Sequence, residues 1–292
     1  MKSGYVAVIG RANAGKSTLV NVMVGEKVAI VSPKPQTTRD RITGVLTTDD
    51  YQIAFVDTPG LYKADNLLNS VMQKTVQDSV EDVDAVLFVL DAHAGISEKD
   101  RSILKKYTSL KIPTVLALTK TDIMPESLLI SELNELKDEN IDIVPVSARK
   151  NRNVKELIKV IADKLPEGDK LFDFEIVSDR SEKFMIGEIV REKILLKTEK
   201  EIPHGVAVIV NKFENSPKSK VAEISVDIIC EKPNHKSIII GKQGSKIKEI
   251  STFAREEMQK FLGKKVFLTT YVKVKEDWRN SAFLLKEHGY GE

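Results

Sequence analysis

Cysteine is nearly absent, long apolar runs are missing, and neither sign of charge prevails in this sequence. With Cys230 alone no internal disulfide can form, so a reducing compartment is the natural setting, and its neighbours Ile228 and Ile229 mark it as core packing. No stretch approaches the roughly 20 apolar residues of a membrane-spanning helix, and the N-terminus lacks the apolar segment of a secretory signal. A soluble chain is the expectation, with contact at a membrane surface still open. The 45 basic and 43 acidic side chains leave a net charge of only +2. The balance is uneven, however: between residues 204 and 275, 14 basic side chains stand against 7 acidic ones, which suits an anionic partner for that region. At 292 residues, 41% apolar and 30% charged, the chain reads as an ordinary globular protein of two domains.

What is present begins with Gly10-Arg11-Ala12-Asn13-Ala14-Gly15-Lys16-Ser17, which fits G-x-x-x-x-G-K-[ST] directly after the strand-like run Tyr5-Val6-Ala7-Val8-Ile9. Glycines at both ends let successive N–H groups turn inward on a polyphosphate, and the following helix, apolar at Leu19, Val20, Val22 and Met23, adds its positive end. Lys16 would reach the β and γ phosphates and the Ser17 hydroxyl would bind Mg2+, with Gly10, Asn13, Ala14, Gly15 and Thr18 completing the cradle.

A polar stretch containing Pro33 and Pro35 leads into Gln36-Thr37-Thr38-Arg39-Asp40. Thr38, with Thr37 as the alternative, could put its hydroxyl on Mg2+ and its N–H on a γ phosphate, so that the loop orders with a triphosphate and loosens after hydrolysis. Two strand-like runs, 41–48 and 51–56, flank the hairpin signal Asp49-Asp50, and the second runs into Asp57-Thr58-Pro59-Gly60. Asp57 could hold Mg2+ through water, and the Gly60 N–H could meet the γ phosphate.

Three further strand-like runs, 85–90, 114–118 and 141–146, alternate with helical patterns, which argues an α/β domain of three layers with a mostly parallel sheet and ligands at the carboxyl ends of its strands. Thr119-Lys120-Thr121-Asp122 follows the second of these runs. Asp122 is suited to accept hydrogen bonds from the imino and amino groups of guanine, and Lys120 to lay its stem along the base. Ser147-Ala148 follows the third, where the Ala148 N–H could contact the guanine oxygen. The cofactors expected are therefore GTP or GDP with Mg2+. A helical pattern over 154–165 closes this domain before Pro166-Glu167-Gly168, giving expected boundaries of 1–166 for the nucleotide domain, 167–180 for a linker and 181–292 for a smaller α+β domain.

In the smaller domain Phe184, Ile186, Ile189, Val190, Ile194 and Leu195 form a helical face, followed by strand-like runs 206–213 and 221–229. Gly241-Lys242-Gln243-Gly244 then joins two helical segments, the second running through Leu262 into a last strand over 265–274. A GXXG turn by itself equally suits a plain helical hairpin, but the α-β-β-α-α-β order and the basic balance favour nucleic acid. Two glycines let a nucleic-acid backbone approach the helix ends, Lys242 and Lys246 add phosphate contacts, and Ile240 and Gln243 complete the expected RNA-binding set. Residues 278–286 read as a short amphipathic helix, with Phe283 and Leu284, docked on this domain.

The motifs GRANAGKS, TTRD, DTPG, TKTD and SA, in this order, resemble the translation-factor-related GTPases, and residues 1–165 are similar to the G domain of the Era family. Ile239-Ile240-Gly241-Lys242-Gln243-Gly244 with Ile247 resembles the core of a KH domain in the type II arrangement, and residues 188–193, EIVREK, resemble the family's domain junction. The resemblance covers nearly the whole chain. It implies a Mg2+-dependent GTPase, with Lys16, Thr38, Gly60 and Asn13 as its catalytic set, that binds single-stranded RNA near the 3′ end of small-subunit (16S) ribosomal RNA and acts in assembly of the 30S subunit. It also implies a cytoplasmic monomer, in part peripheral on the cytoplasmic face of the membrane. Leu61 stands where Ras-like enzymes carry a water-orienting glutamine, so intrinsic hydrolysis should be slow and stimulated by K+ through Asn13. Thr119 departs from the family's usual asparagine, and a weaker brace from that position to the base and the phosphate loop is expected. A tRNA-modifying or transport GTPase fits less well, since there is no C-terminal cysteine and no spanning helix. Intact Lys16, Ser17, Asp57 and Asp122 argue against a vestigial nucleotide domain.

Overall fold

Apolar runs with polar residues only at their ends become strands covered on both faces. The computed structural model describes residues 1–60, 65–136 and 141–290. These pack as two units, the first comprising Met1–Ala29, residues 38–60 and the described part of Met72–Asp179, the second Ile30–Thr37, residues 65–71 and 180–290.

In the first unit the elements run β1 (Lys2–Ile9), α1 (Lys16–Val24), β2 (Ile42–Thr47), β3 (Tyr51–Asp57), α2 (Leu67–Glu81, whose first turns belong to the second unit), β4 (Ala85–Asp91), α3 (Glu98–Thr108), β5 (Thr114–Thr119), α4 (Glu126–Leu136), β6 (Asp142–Pro145) and α5 (Val154–Lys164). The sheet order is β2-β3-β1-β4-β5-β6, parallel except for β2. Alternate residues face opposite layers. Val6, Val8, Phe55, Leu87 and Val89 pack with Leu19 of α1 and Leu157 and Ile161 of α5, whereas Ala7, Ile9, Val86, Phe88 and Leu116 pack with Leu104 of α3 and Leu136 of α4. Three layers result, as the alternation in sequence implies. β1 lies between β3 and β4, and its neighbours follow in opposite directions along the sheet, so the loop leaving β1 opens at a topological switch point. β1 begins three residues before its apolar run, because Lys2, Ser3 and Gly4 pair with Tyr51, Gln52 and Ile53.

In the second unit α6 (Glu182–Lys197), β7 (Val206–Glu214), β8 (Val221–Cys230), α7 (Pro233–Ile240), α8 (Ser245–Leu262) and β9 (Lys265–Val274) follow in order, with a last helix α9 (Ala282–Glu287). β7 pairs antiparallel with β8, and β8 pairs parallel with β9 from Val221↔Lys265 to Cys230↔Val274. A parallel pair needs a crossover, and α7 and α8 supply it. Ile186, Val190, Val226, Ile228, Cys230 and Ala254 share one core. Cys230 is fully buried there.

The tail departs from the helix expected over 278–286. Asp277 takes a left-handed conformation (φ 50°), Trp278–Asn280 form one 3-10 turn, and α9 starts only after the Ser281 cap. Trp278 is the anchor: it has no exposed surface and its indole Nε1 donates to the Gly205 carbonyl at 3.0 Å, while Phe283 is 77% exposed. Trp278→Ala should therefore cost about 3–5 kcal/mol in denaturant unfolding, and Phe283→Ala less than about 0.5 kcal/mol.

Candidate nucleotide site and nucleic-acid turn

At Gly10 the chain passes so close to β4 that a Cβ would lie 2.2 Å from the Val89 carbonyl oxygen. Only glycine fits. Exposed Asn13 and half-buried Gly15 take left-handed conformations (φ 63° and 94°), and α1 begins at Lys16, with Ser17 and Thr18 in its first turn. The Lys16 Nζ donates to the carbonyls of Gly10 and Arg11, each at 3.1 Å. Burial lowers the Lys16 pKa to about 8, with the Asp57 charge opposing that shift.

β3 delivers Asp57 to the same spot with no exposed surface. Ser17 Oγ donates to Asp57 Oδ2 at 2.6 Å, and Thr38 Oγ1 lies 2.8 Å from Ser17 Oγ and 3.4 Å from Asp57 Oδ2. Burial raises the Asp57 pKa, against the pull of Lys16 and the two hydroxyls. Asp57 Oδ1 is buried and has no hydrogen-bond partner among the described residues. Two hydroxyls and a carboxylate with one unsatisfied oxygen make an all-oxygen donor set, the chemistry of a hard cation such as Mg2+. Gly60 abuts the phosphate loop so closely that a Cβ there would sit 2.8 Å from Ala12 Cα. Leu61 lies outside the described residues.

β5 ends in buried Thr119, whose Oγ1 is 2.6 Å from the Ala14 carbonyl oxygen and 2.9 Å from that of Leu90. The hydroxyl thus braces the phosphate loop from the position where asparagine is usual. Lys120 pairs with Asp91 at 2.5 Å. Asp122 Oδ1 accepts a 2.6 Å hydrogen bond from Ser147 Oγ, the main reason its pKa is lowered, so the carboxylate stays an acceptor. Half-buried Ala148 follows. The sequence reading missed two residues here. Asp91 closes the apolar run of β4, and an acid at a strand's carboxyl end was a usable signal. Asp100, 2% exposed, takes the Arg11 guanidinium at 3.2 Å while completing the capping box of α3 with Ser97; that box was legible in sequence.

In the second unit α7 ends at Ile240 and α8 starts at Ser245. Gly241 (φ 74°), Gln243 (φ 51°) and Gly244 (φ 75°) turn the chain between them. A Cβ on Gly241 would meet the Lys246 Cβ at 2.7 Å, whereas Gly244 has open space around it. Lys242 and Gln243 are exposed, Lys246 and Ile240 half-buried, and Ile239 is fully buried in the core. Ile238, 44% exposed, is the isoleucine that α7 presents outward, and the helical period from buried Ile239 would have found it.

Fold and site together define a P-loop guanine-nucleotide-binding domain followed by a KH domain. The family described as 50S ribosome-binding GTPase matches residues 5–120, and the KH domain family matches residues 201–279. GTPase Era of Clostridium kluyveri is 44% identical over 292 residues, and that of Alkaliphilus oremlandii 45% over 291, each alignment covering 99% of both proteins. Two solved structures superpose over 100% of both chains at 38% identity. One is an Era variant of Aquifex aeolicus bound to GDP.AlF4- (TM-score 0.94), the other Era in complex with MgGDPNP and nucleotides 1506–1542 of 16S ribosomal RNA (TM-score 0.95). The chain belongs to the Era family of GTPases.

Lys16 carries a pH signature. Its pKa is about 8 in the folded protein and near the ordinary lysine value of 10.5 when unfolded, so between those values the unfolded chain binds the extra proton and stability rises with pH. Relative to Lys16→Met, the wild-type protein should gain about 3 kcal/mol across that window, read as the difference between their unfolding curves.

Proposed function

We propose that this protein is a GTP-hydrolysing switch that binds the 3′ region of small-subunit ribosomal RNA through its KH domain and acts in assembly of the 30S subunit. The observation that carries the reading is the convergence of Lys16, Ser17, Thr38 and Asp57, from three separate stretches of sequence, on the head of α1. The Era structure that holds MgGDPNP together with 16S ribosomal RNA supports the RNA half of the reading.

Lys16 would exchange the carbonyls of Gly10 and Arg11 for β and γ phosphate oxygens, a better match for a buried ammonium. Ser17, Thr38 and Asp57 would hold Mg2+, whose charge offsets that of the phosphates. The N–H groups of Thr38 and Gly60 would meet the γ phosphate, so both loops would be held more firmly with the triphosphate than after hydrolysis. Asp122, whose carboxylate accepts from Ser147, would read the guanine edge, and Lys120, steadied by Asp91, would lay its stem along the base. In hydrolysis a water oxygen bonds to the γ phosphorus as the bond to the bridging oxygen breaks, leaving GDP and phosphate. Asn13 would hold a K+ ion against the developing charge. No helix among the described residues is long and apolar enough to cross a membrane. The protein acts as a cytoplasmic monomer with peripheral contact at the inner membrane.

A labelled single-stranded RNA from the 3′ end of 16S ribosomal RNA should bind more tightly with a non-hydrolysable GTP analogue than with GDP. Gly241→Asp, which collides with Lys246, and Gly244→Asp, which strains a left-handed position, each set a negative charge against the RNA backbone and should weaken binding at least about tenfold. Binding indifferent to the nucleotide would refute the switch, and binding indifferent to both aspartates would move recognition off the turn. Turnover in K+ should exceed turnover in Na+ severalfold, and Asn13→Ala should erase that difference.

A further inference from the structure

Within the second unit, one turn of α6 grips both ends of the segment Ile30–Thr37. Glu192 Oε1 accepts the Val31 N–H at 2.8 Å, and the Arg191 guanidinium donates through Nη2 to the Thr37 carbonyl and through Nη1, at 3.4 Å, to that of Gln36. Arg191 is 1% exposed, and Glu188, one turn earlier, fixes it with bonds of 2.7 Å to Nε and 2.5 Å to Nη2. Glu192 is held in turn by Lys193, which also pairs with Glu257. Gln36, left-handed at φ 59°, donates to Asn69 at 3.0 Å, so the segment is fixed from a second side as well.

The carbonyl that Arg191 holds belongs to the peptide bond between Thr37 and Thr38. That unit is planar and trans, so its oxygen and the Thr38 N–H point in opposite directions, and fixing one fixes the other. A cationic donor on the oxygen also polarises the N–H, making it a better donor to an anion. We propose that Arg191, oriented by Glu188, is a positioning residue that aims the Thr38 N–H at the γ phosphate, and that Glu192 sets the far end of the same segment. The inference rests on the reading of Thr38 as the γ-phosphate sensor. A planar guanidinium can serve a carboxylate and two carbonyls at once, which an ammonium cannot do with the same geometry.

The test measures affinities of the full-length protein for GDP and for a non-hydrolysable GTP analogue in the presence of Mg2+. Arg191→Lys should weaken the analogue about tenfold and leave GDP within about twofold, with Glu188→Gln a milder version of the same split. Thr38→Ala runs beside them. Analogue and GDP affinities that fall together, or a lowered melting temperature with an unchanged ratio, would make Arg191 a structural residue only and overturn the proposal. If Thr38→Ala changes the ratio while both α6 variants leave it alone, the proposal fails and the Mg2+ role of the Thr38 hydroxyl stands; if Thr38→Ala, which keeps the N–H, leaves it alone while the α6 variants change it, the hydroxyl role falls and the proposal stands. Should Arg191→Lys not fold, Glu188→Gln, which keeps the guanidinium and a neutral acceptor, decides by the same ratio.

Discussion

A carboxylate with no exposed surface governs the nucleotide-binding unit. The register Val8↔Asp57 sets Asp57 beside the strand that launches the phosphate loop, and there it has Ser17 on one oxygen and, among the described residues, no partner on the other. Lys16 is buried close by with a lowered pKa. Opposite charges in a dry place offset one another's desolvation only in part. Both groups are therefore poorly served by the protein's own partners and better served by a polyphosphate with its cation. Ligand binding to such a site adds directly to the stability of the folded state, and a site that favours its ligand so strongly is costly to keep without it.

Everything near that pair is arranged by close backbone approach. Gly10 touches the Val89 carbonyl and Gly60 touches Ala12, so neither position tolerates a side chain, and the strand before each, β1 and β3, is fixed relative to the loop. Thr119 closes the arrangement from β5 with a hydroxyl instead of the longer amide. A side chain that short reaches Ala14 only because β5 is two strands from β1 and its end is level with the loop. The brace depends on the sheet order as much as on the residue.

The strands of the first unit were legible because apolar runs buried on both faces leave few alternatives, and the phosphate loop because its glycines and Lys16 have one chemical use at that spacing. Where polar residues pair with a neighbour the pattern is silent, as at Lys2–Gly4. In the tail, Phe283 and Leu284 suggested the apolar face, but a left-handed Asp277 and the reach of the Trp278 indole to Gly205 decided otherwise. Neither is written in local periodicity. Asp91 and Asp100 each sat beside a readable signal, a strand end and a capping box. The partners of Arg191 are backbone carbonyls 154 and 155 positions away, and a carbonyl has no letter in the sequence.

That last case bears on why Glu188 and Arg191 are buried in a helix whose core-facing residues Ile186, Ile189, Val190 and Ile194 are apolar. An arginine–glutamate pair removed from water gains little over well-packed aliphatic side chains of similar volume. Stability alone does not account for Glu188 and Arg191, which are nearly inaccessible on α6 between Ile186, Ile189 and Val190. Apolar residues would fill the same space but could not hold a peptide oxygen in one orientation. Segment 30–37 has two prolines, a left-handed glutamine and no regular backbone ladder, so its carbonyls need donors from elsewhere. Arg191 supplies them at the end of the segment next to Thr38, where a change in peptide orientation would alter the direction of the N–H that, on the proposed function, meets a γ phosphate.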